Sequence, residues 1–137
     1  MDAKAFLMQI EKLDAMIECK LIEREQWHDL AVNITAHMDG EKVQSSGAKS
    51  RMACAVEKCV DMESEIDRVV DQLKGKKRAV TDTIEQLDSP TFYKVLHMKY
   101  VQYKTLQEIA GIFDRNYEWA KTVHGRALSQ VQRLLEE

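Results

Sequence analysis

CVDMESEIDRVVDQLKGKKRAVTDTIEQL, residues 59–87, decides the fold class. Cys59, Met62, Ile66, Val69, Leu73, Lys76, Val80, Thr83 and Leu87 recur at alternating steps of three and four, flanked by Val56, Val70 and Ile84. That is the spacing of a coiled-coil seam. Lys76 and Thr83 interrupt it close to Gly75, which predicts a looser or bent stretch there. Upstream, Phe6, Ile10, Leu13, Ile17, Leu21, Trp27, Ala31, Ile34 and Met38 follow the same helical period with charges between them. Asp39-Gly40 ends this pattern, and the glycine- and serine-rich stretch that follows predicts a loop over about residues 39–50. Folded back on that loop, the two stripes oppose each other wherever residue numbers sum to roughly 90, so Phe6 meets Ile84, Ile10 meets Val80 and Ile17 meets Leu73. The same register sets Glu11, Asp14 and Glu18 opposite Lys74, Lys76, Lys77 and Arg78. Residues 1–87 therefore read as a long antiparallel helical hairpin. Two helices shield only one side of such stripes, so the hairpin is expected to self-associate, most simply as a homodimer in which two hairpins form a four-helix bundle.

Composition sets the outer bounds. The chain has 137 residues, 45% of them hydrophobic, with a single proline, five glycines and a formal charge of −3. This is enough to fold one ordinary domain or two small units. Cys19, Cys54 and Cys59 form neither a CxxC pair nor an even set, which points to a reducing compartment and to cysteines acting as buried hydrophobes. His28, His37, His97 and His124 stand apart, and no glycine-rich phosphate loop, GxSxG or HExxH is present. No catalytic, metal or cofactor site is expected, and the chain does not read as an enzyme. The amino terminus alternates charge with hydrophobe, and no apolar run approaches the roughly 20 residues of a membrane span. A cytoplasmic protein without a membrane partner is the expectation. The average charge hides an asymmetry: residues 91–135 hold seven basic side chains against Glu108, Asp114 and Glu118, a local excess of four.

The basic part has its own pattern. Ser89-Pro90 is a helix start, Ser as N-cap and Pro at the first helical position. Phe92, Val95, Leu96, Tyr100 and Val101 give one apolar face, and residues 102–104 a short turn. Thr105-Leu-Gln-Glu108 matches a capping box and opens a short helix with Leu106, Ile109, Ala110 and Phe113. Asp114-Arg115-Asn116 is a turn in which Asp or Asn accepts positive φ, with Asn116 capping a last helix over about residues 117–135. Residues 88–137 thus read as a three-helix head containing a helix-turn-helix, with Ala110 as the small residue at the helix crossing. Ala120, Val123 and Ala127 turn inward. Tyr117, Glu118, Lys121, Thr122, Gly125 and Arg126 are left on the face that a helix-turn-helix lays in the major groove. Lys121 and Arg126 suit phosphate or guanine, Thr122 a phosphate or thymine methyl, and Glu118 cytosine N4. With Thr105, Arg115 and Asn116 at the helix ends, Tyr117, Glu118, Lys121, Thr122 and Arg126 form the candidate contact set for double-stranded DNA. Trp119 is expected to pack on the first helix of the head.

From Leu87 to Leu135 the motifs L-x5-Y-x-VL-x-M-x-Y-V, T-L-x-EIA and W-A-x2-V-x2-RAL-x2-V occur in that order. This stretch resembles region 4 of the sigma-70 type RNA polymerase sigma factors, above all small phage proteins akin to late-gene regulators of the ArpU and RinA kind. The resemblance implies an all-α chain whose head reads a promoter element in the major groove through Tyr117, Glu118, Lys121 and Thr122, with RNA polymerase as a further partner. Glu118 matches the family, whereas Tyr117, Lys121 and Thr122 stand where it prefers Arg and Gln, and Asp114 replaces its turn glycine. A phage or prophage transcriptional regulator is the function so implied. A small-terminase-like DNA-packaging subunit and a helical adaptor that binds polymerase are the alternatives.

Overall fold

Apolar stripes at helical spacing dominate the chain, and the computed structural model, which describes residues 2–40 and 46–137, is all-α over them. The elements are α1 (Ala3–Gly40), α2 (Ser46–Glu85), α3 (Pro90–Leu96) running directly into a π-helical turn (His97–Val101), α4 (Leu106–Ile112) and α5 (Tyr117–Glu136). Residues 41–45 of the expected loop lie outside the described residues. Its flanks do not form a loop: Asp39 and Gly40 belong to α1, and residues 46–50 open α2. Ser46 suits a helix start and Ala48 and Lys49 are good helix formers, which outweighs the presence of Gly47.

The compact parts of the chain are two. The first joins Met1–Asp14 to Gly75–Glu137, and the second is Ala15–Lys74. In the first, Ala3, Leu7, Ile10, Val80, Ile84, Leu96, Tyr100, Ala127 and Val131 form one buried cluster. A second cluster, Val95, Ile109 and Val123, is roofed by half-buried Phe92, Phe113 and Trp119. Helix α5 belongs to both: Val123 enters one, Ala127 and Val131 the other. The ends of α1 and α2 therefore share a core with the head. Asp2 caps α1 by accepting from Ala5 N–H at 2.7 Å, and Gln132 of α5 accepts from Ala3 N–H at 2.8 Å.

The α1–α2 register here is close to the expected one. Lys77 Nζ pairs with Asp14 Oδ1 at 2.7 Å, residue numbers summing to 91. Among the described residues this is the ion pair formed by the acidic and basic sets of the two stripes. Phe6 is half-buried and Leu7 takes the fully buried position instead. Helix α2 also runs unbroken through Gly75. The seam moves by one residue there, so that Lys77 and Ile84 face inward in place of Lys76 and Thr83. The displaced Thr83 turns its hydroxyl to its own helix, donating to Ala79 O at 3.1 Å.

In the second part, Ala31, Cys59, Ile66, Val70 and Leu73 are buried. Arg24 Nε meets Asp67 Oδ1 at 2.7 Å and His28 Nδ1 meets Glu63 Oε1 at 3.3 Å. Both pairs again sum to 91, so α1 and α2 run antiparallel in this part. Leu21, assigned to the inner stripe by its spacing, is 45% exposed, and half-buried Arg24 takes the inward position. Met16, Ile22, Leu30, Val32 and Val60 are also exposed. Cys19 and Cys54 are exposed free thiols; of the three cysteines only Cys59 is buried as expected. No helix among the described residues is long and apolar enough to cross a membrane.

Burial separates the two kinds of apolar position. Ile109→Ala is expected to lower unfolding stability by about 2–5 kcal/mol, whereas Ile112→Ala, at a 54% exposed position, changes it by about 0.5 kcal/mol or less. Chemical denaturation of both variants followed by circular dichroism checks this contrast.

Candidate nucleic-acid interface

Local sequence sets the position of each helix end in the head. Ser89 Oγ accepts from Phe92 N–H at 3.3 Å, with Pro90 following at the first helical position where its missing donor costs nothing. Thr105 Oγ1 accepts from Glu108 N–H at 3.2 Å, and its hydroxyl meets Glu108 Oε1 at 3.2 Å. Asn116 Oδ1 accepts from Trp119 N–H at 2.9 Å. Between α4 and α5, Arg115 N–H donates to Ala110 O at 2.8 Å and Asp114 N–H to Gly111 O at 3.2 Å. This pair of bonds is a Schellman ending, and it needs a left-handed residue, which Asp114 supplies with φ 55°. The turn glycine of the resembled family is therefore replaced by one of the few other residues that tolerate this conformation.

These ends fix the facing of α5. Ala120, Val123, Ala127 and Val131 are buried. Tyr117, Glu118, Lys121, Thr122, Gly125 and Arg126 are all exposed, on consecutive turns of one face. Five of the eight candidate residues, Tyr117, Glu118, Lys121, Thr122 and Arg126, are thereby brought together. The other three serve the turns. Thr105 is at the start of α4 with its hydroxyl engaged in the cap, and Asn116 uses its side-chain oxygen to cap α5. Arg115 holds its guanidinium over the Trp119 ring, 5.7 Å from the centroid. Trp119 in turn packs beside Phe113, centroids 5.2 Å apart, on the cluster that contains Val95 of α3. Its ring is part of the head's core, as its sequence position suggested. A side chain at Gly125 would meet nothing within 4 Å, so packing within the chain does not require a glycine there.

No family model, no curated protein and no solved structure matches this chain.

On its inner side α5 carries a feature that sequence reasoning passed over. His124 Nε2 and Tyr100 OH are 2.8 Å apart, their rings stacked at 5.7 Å between centroids. Burial, and then the positive charges of Lys99 and Lys4, hold His124 below its ordinary value. Burial and the charge of Asp2 push Tyr100 up to about 12. Residues 24 apart in sequence give no local signal of such a pair. The only hint was Tyr100 on the apolar face predicted for the first helix of the head.

A depressed histidine has a definite consequence for acid stability. His124 contributes stability that is fully present above 6.5, the ordinary value, and that is lost as pH falls through its lower folded value, because the unfolded chain takes up the proton first. The groups facing it are Lys4 from α1 and Lys99 and Tyr100 from the π-helical turn. Melting temperature is therefore expected to fall as pH drops below about 6.5. His124→Gln, which keeps a partner for Tyr100, should flatten that decline; an unchanged slope would separate His124 from it.

Proposed function

We propose that this chain is a DNA-binding regulator of transcription whose head acts as a sigma-region-4-like helix-turn-helix, paired in a homodimer through α1 and α2. The observation that carries this reading is the outer face of α5, where Tyr117, Glu118, Lys121, Thr122 and Arg126 are exposed together while the opposite face is buried. A helix held rigidly by one face, beginning just after a tight turn and presenting cations with hydrogen-bonding groups on the other, is suited to a major groove. Gly125 lies on the same exposed face. A glycine in mid-helix costs about 1 kcal/mol against alanine, and a side chain there would meet nothing within 4 Å, so the helix surface at this point leaves room for a groove wall to come close.

Dimerisation follows from two features. Six large apolar side chains of the second compact part, Met16, Leu21, Ile22, Leu30, Val32 and Val60, are exposed, and covering them offers the burial that drives association. A single head also brings few phosphate contacts, so two heads on one duplex give the affinity that one lacks. Control of phage or prophage late genes, and contact with polymerase, rest on the sequence resemblance alone.

Selection of bound genomic fragments by the full chain supplies the site for testing. On that site, Lys121→Ala with Arg126→Ala is expected to weaken binding by about 2 kcal/mol or more and to reduce the steepness of its salt dependence. Gly125→Ala should stabilise the fold by about 1 kcal/mol yet weaken DNA binding. Undiminished binding by the double variant contradicts the assignment of α5, and sedimentation as a monomer at micromolar concentration contradicts the dimer. A ring of many subunits would instead indicate a packaging subunit, and capture of polymerase without DNA retardation an adaptor.

A further inference from the structure

Two irregularities of the backbone fall at one place. The helix begun by α3 widens into the π-helical turn, closed by Gln102 N–H donating to His97 O and Lys104 N–H to Met98 O, at 3.1 and 2.9 Å. Immediately after it Tyr103 adopts φ 60°. A bulky side chain in the left-handed region costs about 1–2 kcal/mol, and glycine would avoid that cost. Both features accumulate at functional positions more than elsewhere. Tyr103 is held in place by its phenol, which donates to Asp14 Oδ2, while Asp14 Oδ1 is paired with Lys77. Burial raises the Asp14 carboxyl, and the bonds from Lys77 and Tyr103 outweigh it and keep it below its usual range. The Tyr103 ring is thus fixed as a wall.

What it walls is a cleft of 380 Å³ within the first compact part. Small-molecule sites begin near this size, about 300 Å³, whereas one ordered water needs far less. Leu7, Met8 and Leu106 supply apolar lining, and the stacked Tyr100–His124 pair a flat aromatic side. Lys4 and Lys99 bring two cations, neither of them in an ion pair among the described residues, and Glu11 brings one carboxylate. With His124 neutral, the lining carries a net charge of one positive.

We propose that this cleft is a binding site for a small planar aromatic carboxylate, its ring between Leu106, Met8 and the Tyr100–His124 pair and its carboxylate against Lys4 and Lys99. One positive charge in excess selects a monoanion, the apolar lining selects a ring over a simple inorganic ion, and the volume limits the ligand to about two fused rings. None of the lining residues belongs to the exposed face of α5, so the site stands independently of any role in DNA binding.

Titration of the full chain with naphthalene-2-carboxylate, followed by two-dimensional NMR, tests this. Saturable shifts are expected at Tyr100, Tyr103, Leu106 and His124 with a dissociation constant of about 1 mM or tighter. The neutral naphthalene-2-carboxamide should bind about tenfold more weakly. Lys4→Gln and Lys99→Gln should each weaken the carboxylate about fivefold while changing the amide's affinity by much less. The proposal is overturned if the carboxylate leaves those resonances in place, if the amide binds equally well, or if inorganic phosphate shifts the same residues with equal affinity.

Discussion

Val131 and Ala127 have no accessible surface, and the atoms that cover them come from far away in the chain. Leu7 and Ile10 arrive from α1, Val80 and Ile84 from α2, Leu96 and Tyr100 from α3 and its π-helical extension. Everything that positions α5 depends on this shared burial. A twenty-residue helix resting only on the small cluster of Val95, Ile109 and Val123 would have its second half unsupported. The ends of the two long helices complete the core, so the head and those ends form one compact unit.

That arrangement gives α5 two unlike sides. The outer face carries Lys121, Thr122 and Arg126, exposed and without an ion pair among the described residues, while the inner face sets His124 against Tyr100 at the back of a cleft. Caps determine how the helix enters this position. Asn116 begins it, and the Schellman ending at Asp114 sets the angle of approach from α4. Because a helix seated by close packing has few alternative positions, small changes at Ala120 or Val123 would be felt on the outer face as well.

Much of this was legible in the amino-acid order because it rests on local chemistry. Ser89-Pro90, Thr105 with Glu108, and Asn116 each announce a helix start through a side chain that satisfies an amide three residues on, and all three do so. The inward set of α5 follows from its period alone. Other features depended on competition between near-equal options. Lys76 or Lys77 keeps a seven-residue repeat almost equally well, and the ion pair to Asp14 together with Ile84 settles the choice. Leu21 has the right spacing and is still exposed, since two helices cover only a narrow stripe. The π-helical turn, the left-handed Tyr103 and the cleft arise from contacts between residues far apart, for which a single sequence holds no periodic trace. The exposed face of α5 was readable as a face; Arg115, Thr105 and Asn116 were harder, because polar residues at helix ends serve caps and turns as readily as ligands.

The claim on which the account rests is that the head's core is closed by Met1–Asp14 and by the end of α2. Thermal unfolding of the isolated segment 88–137, compared with the full chain by circular dichroism and NMR, tests it most directly. The segment alone is expected to lack a cooperative transition and dispersed methyl resonances, because Ala127, Val131 and Leu96 lose their cover. A segment that unfolds cooperatively at the temperature of the full chain, with Val131 still protected, would contradict it.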